Sequence, residues 1–417
     1  MTVLAGAAAL LVGAVTSSAA VDEVILASLS SAGAAGSGPS THPAVASDNR
    51  HVAFQTDAGN LAPGGGSGTA VVLRDMASGT TSLVSRADGV AGAGAGDDSL
   101  APSISDDGRY VAFESDADNL SPDDQNNVRN IFVRDTVAGT TVLVSRAGGQ
   151  AGAGADGHSY APSISGDGRH VAFHSVADNL SADDEDNVVN IYVRDLDSGV
   201  TDLVSRASGH DGAHATANSY APSISADGRH VAFQSHASNL SAGSNPAVRN
   251  VYVRDRALGV TTLVSRADGE GGTGADADSG QAAISGDGTS IAFVSRASNL
   301  SGDDAAGTDD VFLRVPSAGS TVLVSRGDGA EGVAADADSF GPSVDRSGRR
   351  VAFQSTANNL SPSDARNTTD VFLRDVGEGR SWLVSRASGA DGVGGDAASA
   401  QASLSSAYTR QSPALNE

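Results

Sequence analysis

Short runs of β-branched and aromatic residues, each bounded by Gly, Pro, Asp, Asn or Ser, recur along the chain with no helical period. One stretch shows the unit. Residues 162–165 (PSIS) lead through an Asp-Gly turn into 170–175 (HVAFHS), and 191–195 (IYVRD) pass through a few residues into 201–206 (TDLVSR). Asp-Gly between apolar runs is a hairpin signal, so these segments predict four antiparallel strands in two tight pairs. The links 176–190 and 207–221 are much longer, so long and short connections alternate. In an up-and-down sheet alternate connections emerge on the same side, which sends both long links to one face and both tight turns to the other.

The triplet VAF or IAF begins at Val52, Val111, Val171, Val231, Ile291 and Val351, one spacing of 59 residues and four of 60. Self-similarity at a fixed period marks one supersecondary unit stacked repeatedly. Six tandem four-stranded units predict an all-β chain, a β-propeller of six four-stranded blades. Localised function would belong on the long-loop face.

The run PSIS-x-DGR-x-VAF-x-S at 162–175 resembles the TolB-like, WD-repeat-like propeller repeat of bacterial envelope and secreted proteins, and it recurs over residues 43–386. NIFVRD followed by GTT and LVSR at 130–146 resembles a longer version of that repeat found in exported proteins. The resemblance implies a six-bladed propeller used mainly for binding and implies no reaction.

The ends are irregular. Residues 23–26 (EVIL) read as a fourth strand ahead of the first copy, and 401–405 (QASLS) as a first strand after the last. Since copy six already owns its fourth strand, the alternative is a seven-bladed ring with an incomplete last blade. Residues 4–15 are an apolar run followed by small residues, so 1–20 is expected to be a signal peptide and the protein to be secreted or envelope-associated, with no other membrane insertion. Four parts follow: the signal at 1–20, a leader with a lone outer-type strand at 21–42, the propeller at 43–400, and a partial repeat with tail at 401–417.

Composition narrows the chemistry. There is no Cys, which removes disulfides, thiolate metal sites and cysteine nucleophiles. The acidic residues are 43 Asp and 7 Glu against 26 Arg and no Lys, and the net charge of -24 repels nucleic acid. Repeat-locked Arg at 74, 134, 194, 254, 314 and 374 read as inter-blade pairs. Asn60, Asn119, Asn179, Asn239, Asn299 and Asn359 read as turn residues, and Ser99 and its five equivalents as loop hydrogen bonders. The second-to-third links carry closely spaced oxygen ligands: Asp123, Asp124, Asn126 and Asn130; Asp183, Asp184, Asp186 and Asn190; Asp303, Asp304 and Asp310; Asp364 and Asp370. Such spacing suits calcium, although the Gly and terminal Glu of an EF-hand loop are lacking. The nine His show no HExxH pattern, and there is no G-x-S-x-G elbow, so no catalytic set is read. The expectation is a monomeric, non-enzymatic propeller whose long-loop face binds a protein, peptide or envelope glycan; the alternative is a hydrolase or lyase acting at the central channel.

Overall fold

In the computed structural model the described residues are 25–404, apart from 125–126, 150, 185–187, 270, 304–306, 330, 363, 365–367, 387–398 and 400. The expected signal peptide therefore lies outside them. Twenty-four strands form six sheets of four, each in sequential antiparallel order, and one short 3-10 turn, Pro316–Ala318, is the only helical element among the described residues. The chain is a six-bladed all-β propeller. Blade three has Ser159–Ile164 innermost, then His170–Ser175, Asn190–Asp195 and Thr201–Leu203. Blade one opens at Ser40, three residues ahead of the expected boundary at 43.

The tight first hairpin is built by its own side chains. Ser165 Oγ donates to Asp167 Oδ1 at 2.5 Å, the Arg169 N–H donates to the same oxygen at 3.0 Å, and the His170 N–H donates to Ser165 Oγ at 2.9 Å. Gly168 takes φ +73, and a Cβ there would lie 2.2 Å from the Tyr110 ring of the preceding blade. The S-x-D-G motif is thus a turn and a packing device. Arg169 then ties this hairpin to the outer one through Asp195, at 3.1 and 2.9 Å. The same link recurs in blades one, two, four and six, as Arg50–Asp75, Arg109–Asp135, Arg229–Asp255 and Arg349–Asp375. Blade five carries Thr289 and Val315 at these two places, so both partners change together.

The core lies between blades. Val171 and Phe173 face back onto Ile131, Val133 and Val144 of blade two, while Ala172 between them faces forward onto Val231 and Phe233 of blade four. Successive strand residues point to opposite faces, so a strand buried on both faces reads as the unbroken triplet VAF. Phe173 stacks on Tyr192 at 5.8 Å between ring centroids, and the pair repeats in every blade from two to six.

The repeat-locked polar residues join neighbouring elements. Arg194 is buried; its Nη1 donates to Ala147 O at 2.8 Å and its Nη2 to Gly149 O at 2.9 Å, both in the link arriving from blade two. That link does not stay on the loop face. Its first half folds back as a strap along the outer strand of the next blade, where the Gly149 N–H reaches Gly199 O at 2.7 Å and Thr201 Oγ1 donates to Arg146 O at 2.7 Å. Its second half returns to the loop face, where Asn179 Nδ2 donates to Gly154 O at 2.9 Å and Asn179 Oδ1 accepts the Asp156 N–H at 3.2 Å. The six Asn lie in turns or bends, as expected, and also fasten the two long links together, with φ in the ordinary negative range. Ser159 is likewise no loop residue: it opens the inner strand, buried, with its Oγ 3.0 Å from Ser175 Oγ.

Candidate functional site

The inner strands of successive blades pack on one another around the axis. At the hairpin end this axis is drawn together. Backbone bonds run from hairpin to hairpin, Asp106 N to Gly166 O at 2.9 Å, Gly166 N to Ala226 O at 3.0 Å and Ala226 N to Gly286 O at 2.9 Å. A Cβ on Gly166 would fall 2.4 Å from Asp106 Oδ2 and 2.9 Å from Ala226 Cβ. Arg346 of blade six reaches Asp106 of blade two at 2.7 Å, and Ser47 Oγ donates to the other oxygen of Asp106. A ligand at the axis therefore comes from the loop side.

There each inner strand carries a β-bulge, seen in blade two as a register shift between Leu100 and Ser103. The bulge residues His42, Ala101, Ala161, Ala221 and Gln281 have φ between 48 and 51 and Gly341 has 58, while Gln401, outside the strands, has 60. A non-glycine residue held there stores strain of roughly 1–2 kcal/mol. Side chains from the preceding blade offset it by accepting the bulge N–H: Gln55 Oε1 from Ala101 at 2.9 Å, Glu114 Oε2 from Ala161 at 2.7 Å and Gln234 Oε1 from Gln281 at 3.0 Å.

The positions around this mouth are where the six copies differ. The second-strand residue is Gln55, Glu114, His174, Gln234, Val294 or Gln354, and the second inner-strand residue is Thr41, Leu100, Tyr160, Tyr220, Gly280 or Phe340. Blades two to four bring the most chemistry together. Arg129 binds Glu114 Oε1 at 3.0 Å and also Asp116, and its guanidinium lies 5.5 Å from the Tyr160 ring centroid. The Arg129 N–H donates to His158 Nδ1 at 2.9 Å. Tyr160 stacks on His174 at 5.5 Å, and His174 meets Tyr220 edge-on at 5.6 Å.

Burial raises the Glu114 carboxyl, opposed by the Ala161 N–H and Arg129. The hydrogen-bonded Asp116 carboxylate raises Arg129. Burial pushes His174 down to about 4, so its ring is neutral near pH 7. The linkage has a definite sign. In the fold His174 takes its proton only near 4, whereas in the unfolded chain it does so near 6.5, so the unfolded state binds more protons between these values. Its contribution favours folding less as pH falls from about 6.5 to 4. His174→Gln, which installs the residue found at Gln55, Gln234 and Gln354, is expected to flatten the fall in melting temperature across that window. An unchanged slope in scanning calorimetry would refute this assignment.

Across the mouth the lining is amide-rich. Gly280 replaces tyrosine, and a Cβ there would lie 2.3 Å from Gln234 Oε1 and 3.1 Å from Arg249 Nε. Gln281 is exposed and its Oε1 accepts the Gly341 N–H at 2.8 Å. None of these residues stands out in the sequence, whose recurring Ser, Asn and Arg carry the repeat. The signal available was the place where copies disagree, which a search for recurring residues discards.

The calcium expectation fell on the second-to-third links. Asn126, Asp186 and Asp304 lie outside the described residues. Asp123, Asp183 and Asp303 point outward to Arg146, Arg206 and Arg326 at 2.8, 3.1 and 3.3 Å. Asp124 and Asp184 turn inward, accepting from Asn130 Nδ2 and Asn190 Nδ2 at 2.9 and 3.1 Å. The amide oxygens of Asn130 and Asn190 in turn accept from Ser145 and Ser205. Asp310 and Asp370 take the Asn place and accept from Ser325 and Ser385 at 2.6 and 2.5 Å, while Asp364 is buried. No group of three or more His or acidic side chains placed to hold a metal occurs among the described residues. A cation held by both neighbouring Asp would have to open the Arg146 or Arg206 pair.

A hollow of about 260 Å³ beside the outer strand of blade three is lined by Asp183, Asp202, Arg206, His210, Arg254 and Arg256. Its Arg side chains are engaged by Asp183, Asp202 and backbone carbonyls.

No protein-family description matches the chain, and no curated protein matches it. Among solved structures it is similar to TolB from Acinetobacter baumannii, at 17% identity over 78% of this chain and 61% of that one, with a TM-score of 0.41. The chain thus spans about three fifths of that protein's length. A putative TolB from Agrobacterium tumefaciens is 16% identical over 69% of this chain and 80% of that one, TM-score 0.40. An oligogalacturonate lyase from Vibrio parahaemolyticus is 11% identical over 82% and 75%, TM-score 0.47. The architecture rests on the strand pairing described above, and these likenesses assign no activity.

Proposed function

We propose that this protein is a non-enzymatic binding propeller, secreted or envelope-associated, that takes an envelope glycan at the loop-side mouth of its axis. The observation that carries the reading is the set of copy-variable residues along the bulged inner strands: Tyr160 and Tyr220 flank His174, and Gln234, Gln281 and Gln401 bring side-chain amides to the bulges. Aromatic faces with a few placed polar groups suit a sugar, whose C–H surface stacks while its hydroxyls hydrogen-bond. The acidic surface favours a neutral or basic chain over a phosphorylated one. Among the described residues no helix is long and apolar enough to cross a membrane.

The alternative, a hydrolase or lyase at the same mouth, has Glu114 as its best acid. That carboxylate is held on both oxygens, by Arg129 and by the Ala161 N–H, which suits a positioning role. Titration against neutral and basic cell-envelope oligosaccharides tests the proposal. Tyr160→Ala with Tyr220→Ala is expected to weaken binding at least tenfold, from about 1 kcal/mol of stacking per ring. Specific turnover of a glycan would overturn the non-enzymatic reading, and peptide binding without glycan binding would overturn the ligand.

A further inference from the structure

Neighbouring blades share a set of contacts that counts positions around the ring. The inner-strand N–H of Ile164 donates to Ser103 Oγ of the blade before it at 3.0 Å, and Ile224 and Ile284 do the same to Ser163 and Ser223 at 3.1 Å. Leu404 N donates to Ser343 Oγ of blade six at 3.0 Å, and Val45 N of blade one donates to Ser403 Oγ at 3.3 Å. Residues 403–404 therefore stand between blade six and blade one as an inner strand would. Two further contacts agree: Ser399 N reaches Thr369 O at 2.7 Å, as Ser339 N reaches Asp309 O, and Gln401 Oε1 accepts the His42 N–H at 2.7 Å, as Gln281 serves Gly341.

The outer side of this interval is marked as well. Thr81 Oγ1 donates to Leu29 O at 2.5 Å and Arg74 Nη1 donates to the same oxygen at 3.2 Å, the places taken by Arg86 and its strap in blade two. Counting back three residues puts Leu26 where the other copies have Leu83, Leu143, Leu203, Leu263, Leu323 and Leu383. Those six are 0–7% exposed, whereas Leu26 is 38% exposed and Ile25 beside it 37%. On the facing side Val384 is only partly buried, while Val84, Val144, Val204, Val264 and Val324 are 0–1% exposed. The interval has an inner and an outer element, and the described residues include no second or third strand for it.

We propose that this seam is an acceptor for a β-hairpin donated by a partner protein, which supplies the two middle strands of a seventh blade by strand addition. The period places a second strand at 411–415, where the chain reads Q-S-P-A-L in place of V-A-F-x-S. Pro413 would stand where Phe353 stands and has no N–H to give a ladder, so 411–415 is a poor second strand. The seam asks for a small polar residue opposite Ser399, as Ser115 lies opposite Ser99, and an aromatic over Leu26, as Phe132 lies opposite Leu143. With a net charge of -24 on the acceptor, a hairpin with basic ends is favoured.

The test uses the full chain and a synthetic peptide copying 109–136, the second and third strands of blade two, with arginines added at each end to make it net basic. One-to-one binding with a raised melting temperature is expected, and a scrambled peptide is expected to do nothing. Leu26→Arg should weaken binding at least tenfold. Val142→Arg, at an exposed apolar position on the outer strand of the complete blade two, should leave it unchanged. Leu26 is already partly exposed, so its variant is expected to fold, with far-ultraviolet circular dichroism as the check. Absence of binding, or binding indifferent to Leu26→Arg, overturns the proposal. Glycan titration of the same variant keeps this outcome separate from that of the mouth.

Discussion

Arg194→Met is expected to cost about 3 kcal/mol of folding stability, because it leaves two buried carbonyls without the charged donor they face. The guanidinium spans Ala147 O, Gly149 O and Thr201 Oγ1 within 2.8–2.9 Å. Methionine preserves the apolar stem and removes all three bonds, so the loss is electrostatic and local. Arg194→Lys should recover only part of it, since one ammonium cannot present the planar fork. The strap is where the change should show first. It follows Arg146, and trypsin can cut this lysine-free chain only after arginine. Faster cleavage after Arg146, with a lower urea midpoint, is the expected pair of results. An unchanged cleavage rate would show that the strap is held by its backbone bonds alone.

Phe173→Ala is expected to cost about 3–5 kcal/mol, the range for emptying a fully buried aromatic site. Phe173 is 0% exposed and sits between Ile131 and Val133 of blade two and Tyr192 of its own blade. Because stacked repeats are held by neighbour contacts, the damage should be shared by blades two and three and not by blade six. Hydrogen exchange checks this: protection should fall in the strands 130–135 and 170–175 while 370–375 holds. Equal loss in all blades would mean that the ring unfolds as one cooperative unit.

The blade count, the strand order and the alternation of short and long links were legible because period-2 burial and turn chemistry are local. Val171, Ala172 and Phe173 announce a strand buried on both faces, and Ser165 with Asp167 and Gly168 announces its turn. What sequence hides is where a long link travels. The strap at 146–153 has no periodic signal, and only Arg194, forty-odd residues away, shows that it is gripped. The candidate site was hidden for a related reason. A bulge at Ala161 or Gln281 turns ordinary strand residues toward the axis, and nothing in those residue types foretells a left-handed φ without the preceding blade's Glu114 or Gln234 to receive the N–H. Asn179 was legible as a turn residue, while the reach of its amide across to the neighbouring link was not.

The straps have a consequence for behaviour at high concentration. A propeller of antiparallel blades offers one outer strand per blade, and free strand edges are templates on which chains fuse into aggregates. Here the outer edge of each complete blade is overlaid by the chain arriving from its neighbour, as at Gly149–Gly199 and Gly209–Gly259. The rim is thus sheathed by the same peptide that connects the blades, and insulation grows with every copy added to the array. Such a disc can stand close to many others without strand-to-strand fusion.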